Sequence, residues 1–190
     1  MNAIETKLPG VILLEPDVYE DHRGFFLETW NRKRYEDVGI RETFVQDNVS
    51  FSQKGILRGL HFQNPQSQGK LVQVLAGEVW DVAADIRKDS PTFGQWIGEV
   101  LSGENHVQMY VPPGFAHGYC VTSETALFSY KCTDFYNPST EHGIIWDDPD
   151  LGIDWPVKTP LLSSKDANFP KLKDLPTGSL LHFKRGSVDG

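Results

Sequence analysis

The chain has 190 residues, of which 39% are hydrophobic and 23% charged, a composition typical of a globular protein and not of a disordered one. Eighteen basic and 26 acidic residues give a formal net charge of −8, and no basic run is longer than residues 32–34, so nucleic-acid binding is not expected. No apolar stretch reaches the roughly 18–20 residues of a membrane span, and the first residues do not read as a signal peptide. We therefore expect a cytoplasmic protein without membrane contact.

Short β-branched and aromatic runs, separated by Gly, Pro, Asn and Asp, are the main signal along the chain. The predicted strands cover residues 11–14, 24–30, 44–51, 55–62, 71–75, 79–86, 94–101, 106–111, 118–122, 126–133 and 143–146. A hairpin is predicted where the turn at residues 76–78 joins two of these strands. Residues 31–38 form the one predicted helix, with Asn31 as N-cap and Gly39 after its end.

Strands that recur at about ten-residue spacing with hardly any helix predict an all-β, antiparallel sandwich or barrel of the jelly-roll kind. A doubly wound nucleotide-binding fold is excluded because strands do not alternate with long helices. We expect one domain over residues 1–190. After Trp155 the sequence reads as loops, and residues 171–190 read as a loosely held C-terminal tail.

The first candidate site is the sequence R-G-L-H-F-Q at residues 58–63. Strand alternation places His61 and Gln63 on one face, and inward polar groups in a β-sandwich indicate a lined cavity. Histidine is suited to act as a base because its unperturbed pKa of about 6.5 lies near neutrality. The alternative is a hydrogen-bonded strand histidine with no catalytic role.

A second histidine follows a tight turn in the pattern P-x-G-x-x-H at residues 112–117. This pattern recurs in the second motif of cupin barrels, whose metal-binding members carry H-x-H and a downstream Glu in the first motif. Here residues 61–63 read His-Phe-Gln, so two of those ligands are absent. Because His61 and His117 alone leave a metal short of the usual three or four ligands, we expect no metal.

Two further segments carry polar and aromatic side chains. Tyr130 and Tyr136 lie in the run at residues 128–138, where a buried tyrosine can donate a proton or stack on a base, although core packing is the alternative. Lys165 and Asp166 lie in the loop sequence S-S-K-D at residues 163–166, for which solvated surface is the alternative.

Together these segments resemble the dTDP-4-dehydrorhamnose 3,5-epimerases, which are cupin-type enzymes of deoxysugar biosynthesis. The resemblance also includes D-H-R-G-F-F at residues 21–26, F-V-Q-D-N at residues 44–48 and the segment 85–94, and it extends from about residue 4 to residue 170. It implies a cupin barrel with no cofactor, acting on dTDP-4-keto-6-deoxy-D-glucose. The product is dTDP-4-keto-L-rhamnose, formed by replacing the protons on carbons 3 and 5 from the opposite faces.

The resemblance also implies residue roles. His61 is the base, Asp166 orients it, and Tyr130 is the acid on the other side of the sugar ring. Lys70 belongs at the sugar end as a catalytic residue, and Tyr136 stacks on the thymine. The implied nucleotide-sugar contacts are Arg23, Glu28, Gln46, Asn48, Arg58, Lys70, His117, Tyr136, Glu141 and Lys165. Asp81, facing inward on a predicted strand, is either a further pocket residue or a buried hydrogen-bond partner.

Three alternatives stay open at this point: an epimerase of carbon 3 or carbon 5 alone, a ketosugar isomerase on the same fold, and a non-catalytic nucleotide-sugar-binding cupin. Retention of His61, Tyr130 and Asp166 disfavours the last, because binding needs no acid–base pair. The resemblance further implies a homodimer in which N-terminal strands contribute to the neighbouring subunit. The apolar runs at residues 11–14 and 25–27 are compatible with that arrangement.

Overall fold

A computed structural model describes residues 1–183, which form two antiparallel sheets, a separate hairpin and very little helix. In chain order the strands are β1 (Asn2–Glu5), β2 (Ile12–Glu15), β3 (Val18–Asp21), β4 (Gly24–Leu27), β5 (Gln46–Gln53), β6 (Leu57–Gln63), β7 (Lys70–Ala76), β8 (Glu78–Asp85), β9 (Trp96–Ser102), β10 (Gln108–Val111), β11 (Phe115–Val121), β12 (Thr125–Cys132) and β13 (Glu141–Gly143). The helix α1 spans Arg32–Asp37, and two 3-10 helices span Asp166–Asn168 and Leu172–Asp174.

The strand order explains how one cavity draws residues from distant parts of the chain. One sheet has the order β1-β2-β10-β7-β12-β5, the other has the order β13-β6-β11-β8-β9, and β3 pairs only with β4. Consecutive strands thus fall repeatedly in opposite sheets, as in a jelly roll. The predicted all-β, antiparallel jelly-roll or cupin fold is confirmed.

Differences from the predicted elements lie mostly at the ends of strands. The predicted strand 24–30 ends at Leu27, because Trp30 instead packs beside helix α1 against Tyr35 and Phe44. Strands β1 and β3 were not predicted, and both are short and mostly exposed. The predicted helix is confirmed: the Asn31 side chain accepts the Arg34 amide hydrogen as N-cap.

Three apolar clusters hold the layers together. The first fills the space between the two sheets and includes Val72, Leu101 and Phe128. The second covers the outer face of the five-stranded sheet, and the third packs α1 on the outer face of the six-stranded sheet. Apolar side chains therefore cover both faces of the five-stranded sheet. The space between the two sheets also encloses polar side chains.

The C-terminal part of the chain is held more firmly than the sequence indicates. Trp155 and Leu172 are buried against the five-stranded sheet, Leu180 is packed beside them, and His182 pairs with Lys88. The prediction of a loosely held tail is thus corrected for residues 171–183, because their spaced apolar side chains cover a sheet face that would otherwise be exposed. The rest of the predicted tail, residues 184–190, lies outside the described residues.

Residues 1–183 contain no helix that is both long and apolar enough to cross a membrane. Cys120 and Cys132 are free and buried.

Candidate active site

A cavity of about 360 Å³ opens between the two sheets, within the range common for small-molecule sites. Ten of the thirteen side chains predicted for the site line it: Gln46, Asn48, Arg58, His61, Lys70, His117, Tyr130, Tyr136, Glu141 and Lys165. Apolar side chains such as Phe128 also line the cavity. Most of the residues named from sequence therefore meet in one place.

The two sheets contribute different groups. Tyr130 on β12 and Lys70 on β7 enter from the six-stranded sheet, and the Lys70 Nζ lies 6.0 Å from the centre of the Tyr130 ring. His61 on β6 and His117 on β11 enter from the five-stranded sheet, directly opposite one another in register. A molecule in the cavity would thus have imidazole groups on one side and the phenol with the ammonium on the other.

A bulge brings Arg58 and His61 to the same side of β6. Arg58 is opposite Tyr119 and His61 is opposite His117, so β6 has two residues between these pairs where β11 has one. Three-residue separation would otherwise place the two side chains on opposite faces.

Glycine permits this bulge. Gly59 has φ +121°, and a Cβ there would lie 2.6 Å from the Gly118 Cα. Gly118 in turn has no room for a Cβ, which would lie 2.8 Å from the Arg58 carbonyl oxygen. The R-G-L-H and H-G sequences are therefore matched to each other, because two close backbones require glycine on both.

His61 is held by a carboxylate from far along the chain. Its Nε2 lies 2.7 Å from the Asp166 Oδ1, and the Asp166 amide donates to the Ser163 Oγ at 3.0 Å. The His61 ring also meets the Phe169 ring edge-on, with 5.6 Å between centres. With Nε2 bound to a carboxylate, Nδ1 is the nitrogen left to accept a proton.

The protonation states of His61 and Asp166 suit His61 to act as a base. Burial lowers the pKa of His61, although the hydrogen bond from Nε2 to Asp166 acts in the opposite direction. Burial acts to raise the pKa of Asp166, but the hydrogen bond with His61 outweighs it and the pKa is lowered. Near pH 7 the pair is therefore a neutral imidazole beside a carboxylate.

Tyr130 has the properties of an acid that keeps its proton. Burial raises the pKa of Tyr130 to about 12, so the phenol is protonated at neutral pH. Tyr130 is opposite Asn48 on β5 in register, and both side chains line the cavity.

A second histidine–aspartate pair lies beside the first. The His117 Nε2 lies 2.9 and 3.0 Å from the two carboxylate oxygens of Asp81, and both side chains are buried. Asp81 is on β8, next to β11 in the sheet. Of the two interpretations left open by the sequence, the structure places Asp81 as a buried hydrogen-bond partner behind the lining residue His117.

At the rim of the cavity, the exposed Tyr136 is held by hydrogen bonds to polar side chains. The Tyr136 hydroxyl donates to Glu141 at 2.8 Å, and the Lys165 Nζ donates to the other oxygen of Glu141 at 2.8 Å. The Tyr136 amide donates to the Gln46 side chain at 2.8 Å. Half of the Tyr136 surface is exposed, so the residue is accessible at the rim of the cavity.

Two predicted binding residues do not line this cavity. Arg23 lies in the β3–β4 hairpin, where it pairs with Asp21. Glu28 follows the hairpin and interacts with Asn31 and Arg34 near the start of α1. Asp166 does not line the cavity itself either, because it lies behind His61.

The structure adds cavity residues that were not singled out from sequence. Ser50 and Tyr119 line the cavity, where the Ser50 Oγ and the Tyr119 hydroxyl lie 2.7 Å apart. Ser52 does not line the cavity, but its Oγ accepts a hydrogen bond from the Arg58 Nε at 3.2 Å. Alternation along β5 from Asn48 was a signal for both serines, because residues 48, 50 and 52 share one face. Tyr119 lies two residues after His117 on β11, so alternation from His117 places it on the same face.

Residues 1–183 hold no group of three or more His, Cys, Asp or Glu side chains placed to bind a metal ion. The two cavity histidines are each bound to an aspartate instead.

Comparison with known proteins decides the family. A sequence model described as dTDP-4-dehydrorhamnose 3,5-epimerase matches residues 5–174. A dTDP-4-dehydrorhamnose 3,5-epimerase from Pseudomonas aeruginosa is 56% identical over 168 residues, covering 87% of this chain and 93% of its own length. The chain belongs to the dTDP-4-dehydrorhamnose 3,5-epimerase family. It is accordingly an epimerase, in the isomerase class of enzymes.

Solved structures of this epimerase family have the same fold. The Legionella pneumophila enzyme, crystallised with dTDP-4-keto-L-rhamnose, is 53% identical and superposes with a TM-score of 0.95, covering 97% of this chain and 99% of its own. A 3′-monoepimerase from Streptomyces bikiniensis, crystallised with dTDP-quinovose, is 34% identical with a TM-score of 0.83, covering 88% of this chain and 86% of its own. The family fold thus accommodates both double and single epimerisation.

Proposed function

We propose that this epimerase inverts carbons 3 and 5 of dTDP-4-keto-6-deoxy-D-glucose and releases dTDP-4-keto-L-rhamnose. The observation that carries the proposal is the pairing, across one cavity, of the neutral His61 imidazole with the protonated Tyr130 phenol. Inversion beside a ketone requires a base on one face and a proton source on the other. The Pseudomonas and Legionella relatives, at more than half identity, support double epimerisation over the alternatives.

In this mechanism His61 removes the proton alpha to the ketone through Nδ1. Asp166 keeps the ring oriented and stabilises the imidazolium that forms, as carboxylates do in other His–Asp pairs. The charge that develops on the ketone oxygen needs a nearby positive group, and Lys70 is the inward ammonium on the Tyr130 side of the cavity. Tyr130 then delivers a proton from the opposite wall.

The remaining lining residues suit the nucleotide end of the substrate. Arg58 and Lys165 supply hydrogen-bond donors for a diphosphate, and His117 lines the cavity beside them. Only the local field of these groups matters on a chain with net charge −8. Tyr136, exposed at the rim, is the ring that we assign to the thymine. Gln46, Asn48 and Glu141 complete the contacts around it.

We also propose a homodimer in which a second copy supplies Arg23 and Glu28. Arg23 lies in the β3–β4 hairpin and Glu28 directly follows it, both outside the cavity of their own chain. Phe25 and Phe26 on this hairpin are 55% and 71% exposed. The outer face of the six-stranded sheet exposes Phe51 as well. Apolar surface on both elements favours burial against a partner.

Mixing two inactive variants tests this assembly. If Arg23 acts in the partner's cavity, Arg23→Ala and His61→Asn subunits, refolded together, regain about a quarter of normal activity, because half of the dimers are mixed and each has one intact site. No recovery in mixed dimers that are confirmed by mass would place Arg23 in its own chain's site or in no site.

A cytoplasmic location and one epimerase domain over residues 1–190 are part of the same proposal. The family match over residues 5–174 supports the single domain.

The test of the reaction is NMR of the sugar after incubation with dTDP-4-keto-6-deoxy-D-glucose in deuterated water. Double epimerisation places deuterium on carbons 3 and 5 and gives the L-configured product. Deuterium and inversion at one carbon alone would show a monoepimerase, and a product whose ketone has moved to another carbon would show an isomerase. Binding without any exchange would show a non-catalytic cupin. Prior dialysis against a chelator should leave turnover unchanged, since no metal is expected.

A further inference from the structure

The last described part of the chain folds back onto the loop between β8 and β9, and we call residues 180–183 the C-terminal strap. The Lys88 amide donates to the Leu181 carbonyl oxygen, and the Phe183 amide donates to the Lys88 carbonyl oxygen, both at 2.8 Å. The strap follows the segment that the family model matches, residues 5–174. Because both backbone groups of Lys88 are engaged, the strap is fixed in register with this loop.

Arg87, next to Lys88, contacts both the strap and the wall of the cavity. Its guanidinium carbon lies 5.0 Å from the centre of the Phe183 ring and 4.3 Å from the centre of the Phe115 ring. Both distances are within the roughly 6 Å of a cation–π contact. Phe115 begins β11, is buried, and lines the cavity. A continuous series of contacts therefore connects the strap, through Arg87, to a side chain of the cavity wall.

The Arg87 guanidinium is held in one orientation by a buried carboxylate. Its Nε donates to the Asp85 Oδ1 at 2.9 Å and its Nη2 donates to the Asp85 Oδ2 at 2.7 Å. The hydroxyls of Ser90 and Thr92 also donate to Asp85, which is directly opposite Phe115 in register. A two-pronged pair of this kind fixes the plane of the guanidinium, so the group can transmit a contact from one ring to the other.

The strap and Arg87 also cover the turn that leads into β11. Gly114 has φ +91°, and a Cβ there would lie 2.7 Å from the Arg87 Cγ and 3.1 Å from the Leu181 Cδ2. Glycine therefore allows both side chains to pack directly on the turn. This is the turn before His117, so the strap lies behind two consecutive lining residues of β11, Phe115 and His117.

We propose that the C-terminal strap positions the wall of the epimerase cavity, with Phe183 and Arg87 as positioning residues that hold the Phe115 ring in place for the bound nucleotide sugar. The identity of that ligand rests on the proposed function. The strap adds no group that transfers a proton, so its effect falls on binding. Loosening of Phe115 should therefore weaken binding of the nucleotide sugar more than it slows the chemical steps.

The first test observes Phe115 directly and needs neither ligand nor turnover. The protein is labelled with 4-fluorophenylalanine, and the Phe115 fluorine signal is assigned by NMR as the one missing in Phe115→Leu. Phe183→Ala removes the outer ring and should move or broaden that signal. Arg87→Lys should do the same, because it keeps a positive charge beside Asp85 but loses the planar guanidinium.

His182→Ala is the matched control for the strap. It removes the neighbouring exposed side chain, whose Nδ1 lies 3.1 Å from the Asp89 Oδ2, and it keeps the backbone pairing with Lys88. The Phe115 signal should stay in place in this variant. Phe183→Tyr retains an aromatic ring and should also leave the signal where it is in the wild-type protein.

The second test measures binding of dTDP-glucose, a nucleotide sugar that lacks the ketone and is therefore not turned over. Calorimetry should show Kd raised about three- to tenfold in Phe183→Ala, as expected on loss of one partly buried cation–π contact, and restored in Phe183→Tyr. With the proposed substrate, KM should rise by a similar factor. The value of kcat should change by about twofold or less, because His61 and Tyr130 are untouched.

Reciprocity provides a third measurement, on the unaltered protein. If the attached strap favours binding of the nucleotide sugar, the bound nucleotide sugar must favour the attached strap by the same factor. Saturating dTDP-glucose should therefore slow hydrogen exchange of the Lys88 and Phe183 amides by at least the factor by which Phe183→Ala raises Kd. Amides of the β1–β2 pair, at the edge of the other sheet, are the control for general stabilisation.

An unmoved Phe115 signal in Phe183→Ala, or an equal movement in His182→Ala, would overturn the proposal. If Phe183→Ala does not fold, Arg87→Lys provides the same measurements. A lower melting temperature with an unchanged Kd would also overturn it, since the strap would then stabilise the fold without acting on the cavity.

Failure of the proposed function would be seen separately. A wild-type protein that binds dTDP-glucose but gives no turnover contradicts the proposed reaction and leaves the effect of the strap on binding intact. If the wild-type protein binds no dTDP-glucose, the proposed function fails, and the Phe115 signal alone then supports or overturns the positioning role of the strap.

Discussion

Two His–Asp pairs lie side by side in this molecule, and they differ in where each aspartate comes from. Asp81 is on a strand adjacent to His117, 36 residues away in sequence, and both side chains are almost fully buried. Asp166 comes from a 3-10 helix 105 residues away from His61, whose side chain is 26% exposed to the cavity. The same residue types thus form a buried pair, His117 with Asp81, and a pair whose histidine is accessible from the cavity, His61 with Asp166.

The difference shows that a His–Asp pair is not by itself a proton-transfer device. A base needs one free ring nitrogen that faces the reacting carbon, and His61 offers Nδ1 on the cavity side. His117 is 6% exposed and is held by both oxygens of Asp81. We therefore assign proton transfer to His61 and substrate positioning to His117.

Replacing each histidine in turn with asparagine should separate their roles, with the greatest loss of turnover at His61. His61→Asn should lower turnover by about 10²–10⁴-fold or more and stop solvent exchange of the sugar protons, because the base is lost. His117→Asn should mainly raise KM. Steady-state kinetics and deuterium exchange measure both, and continued exchange in His61→Asn would exclude His61 as the base.

The next effect tests whether the acid lies opposite the base. Tyr130→Phe removes the hydroxyl but keeps the ring packed at 5.8 Å from Phe128. His61 can still form the enolate and return a solvent proton to the same face. Exchange should therefore exceed inversion, with inversion reduced by about 10²–10⁴-fold.

The measurement for this variant is NMR of the sugar in deuterated water, with exchange and inversion compared at each carbon. Equal losses of the two at both carbons would make another group the acid.

A smaller effect concerns pH. The neutral form of His61 is the active one, so activity is lost as the pH falls through its pKa. Asp166 raises that pKa against the effect of burial, so Asp166→Asn should move the acidic side of the kcat profile to lower pH. Turnover at neutral pH should fall less than in His61→Asn, since the imidazole remains.

The pH profile of kcat tests this shift, with Asp81→Asn as the companion variant whose acidic side should stay in place. A shift to higher pH in Asp166→Asn would contradict the assigned charges.

The smallest effect tests the packing behind His61. Gly143 is opposite His61 in register, and a Cβ there would lie 2.3 Å from the Phe169 ring. Gly143→Ala should displace that ring from His61 and lower kcat by about tenfold through misplacement of the base. Gly143→Ala/Phe169→Leu should recover part of the loss, and an unaltered kcat in the single variant would show that Phe169 does not position His61.

The local features of this protein follow from residues that are close together in the sequence. Alternation and turn residues predicted ten of the thirteen strands, and the predicted strand 143–146 overlaps β13 at Gly143 alone. His61 and Gln63 fell on one face because side chains alternate along any strand. The helix and its Asn31 cap followed from residues adjacent in sequence. The family motifs then identified Tyr130 and Lys165 before any coordinates, since each lies within a short, ordered sequence pattern.

The long-range relations between segments became known from the folded chain. The contact between Asp166 and His61, the bulge that turns Arg58 to their side, and the position of Arg23 outside the cavity depend on which segments pack together. The burial of Leu172 against the sheet is of the same kind. Periodicity records which face of an element is apolar, but it does not record which distant segment covers that face, because many pairings bury similar area and only the complete chain selects among them.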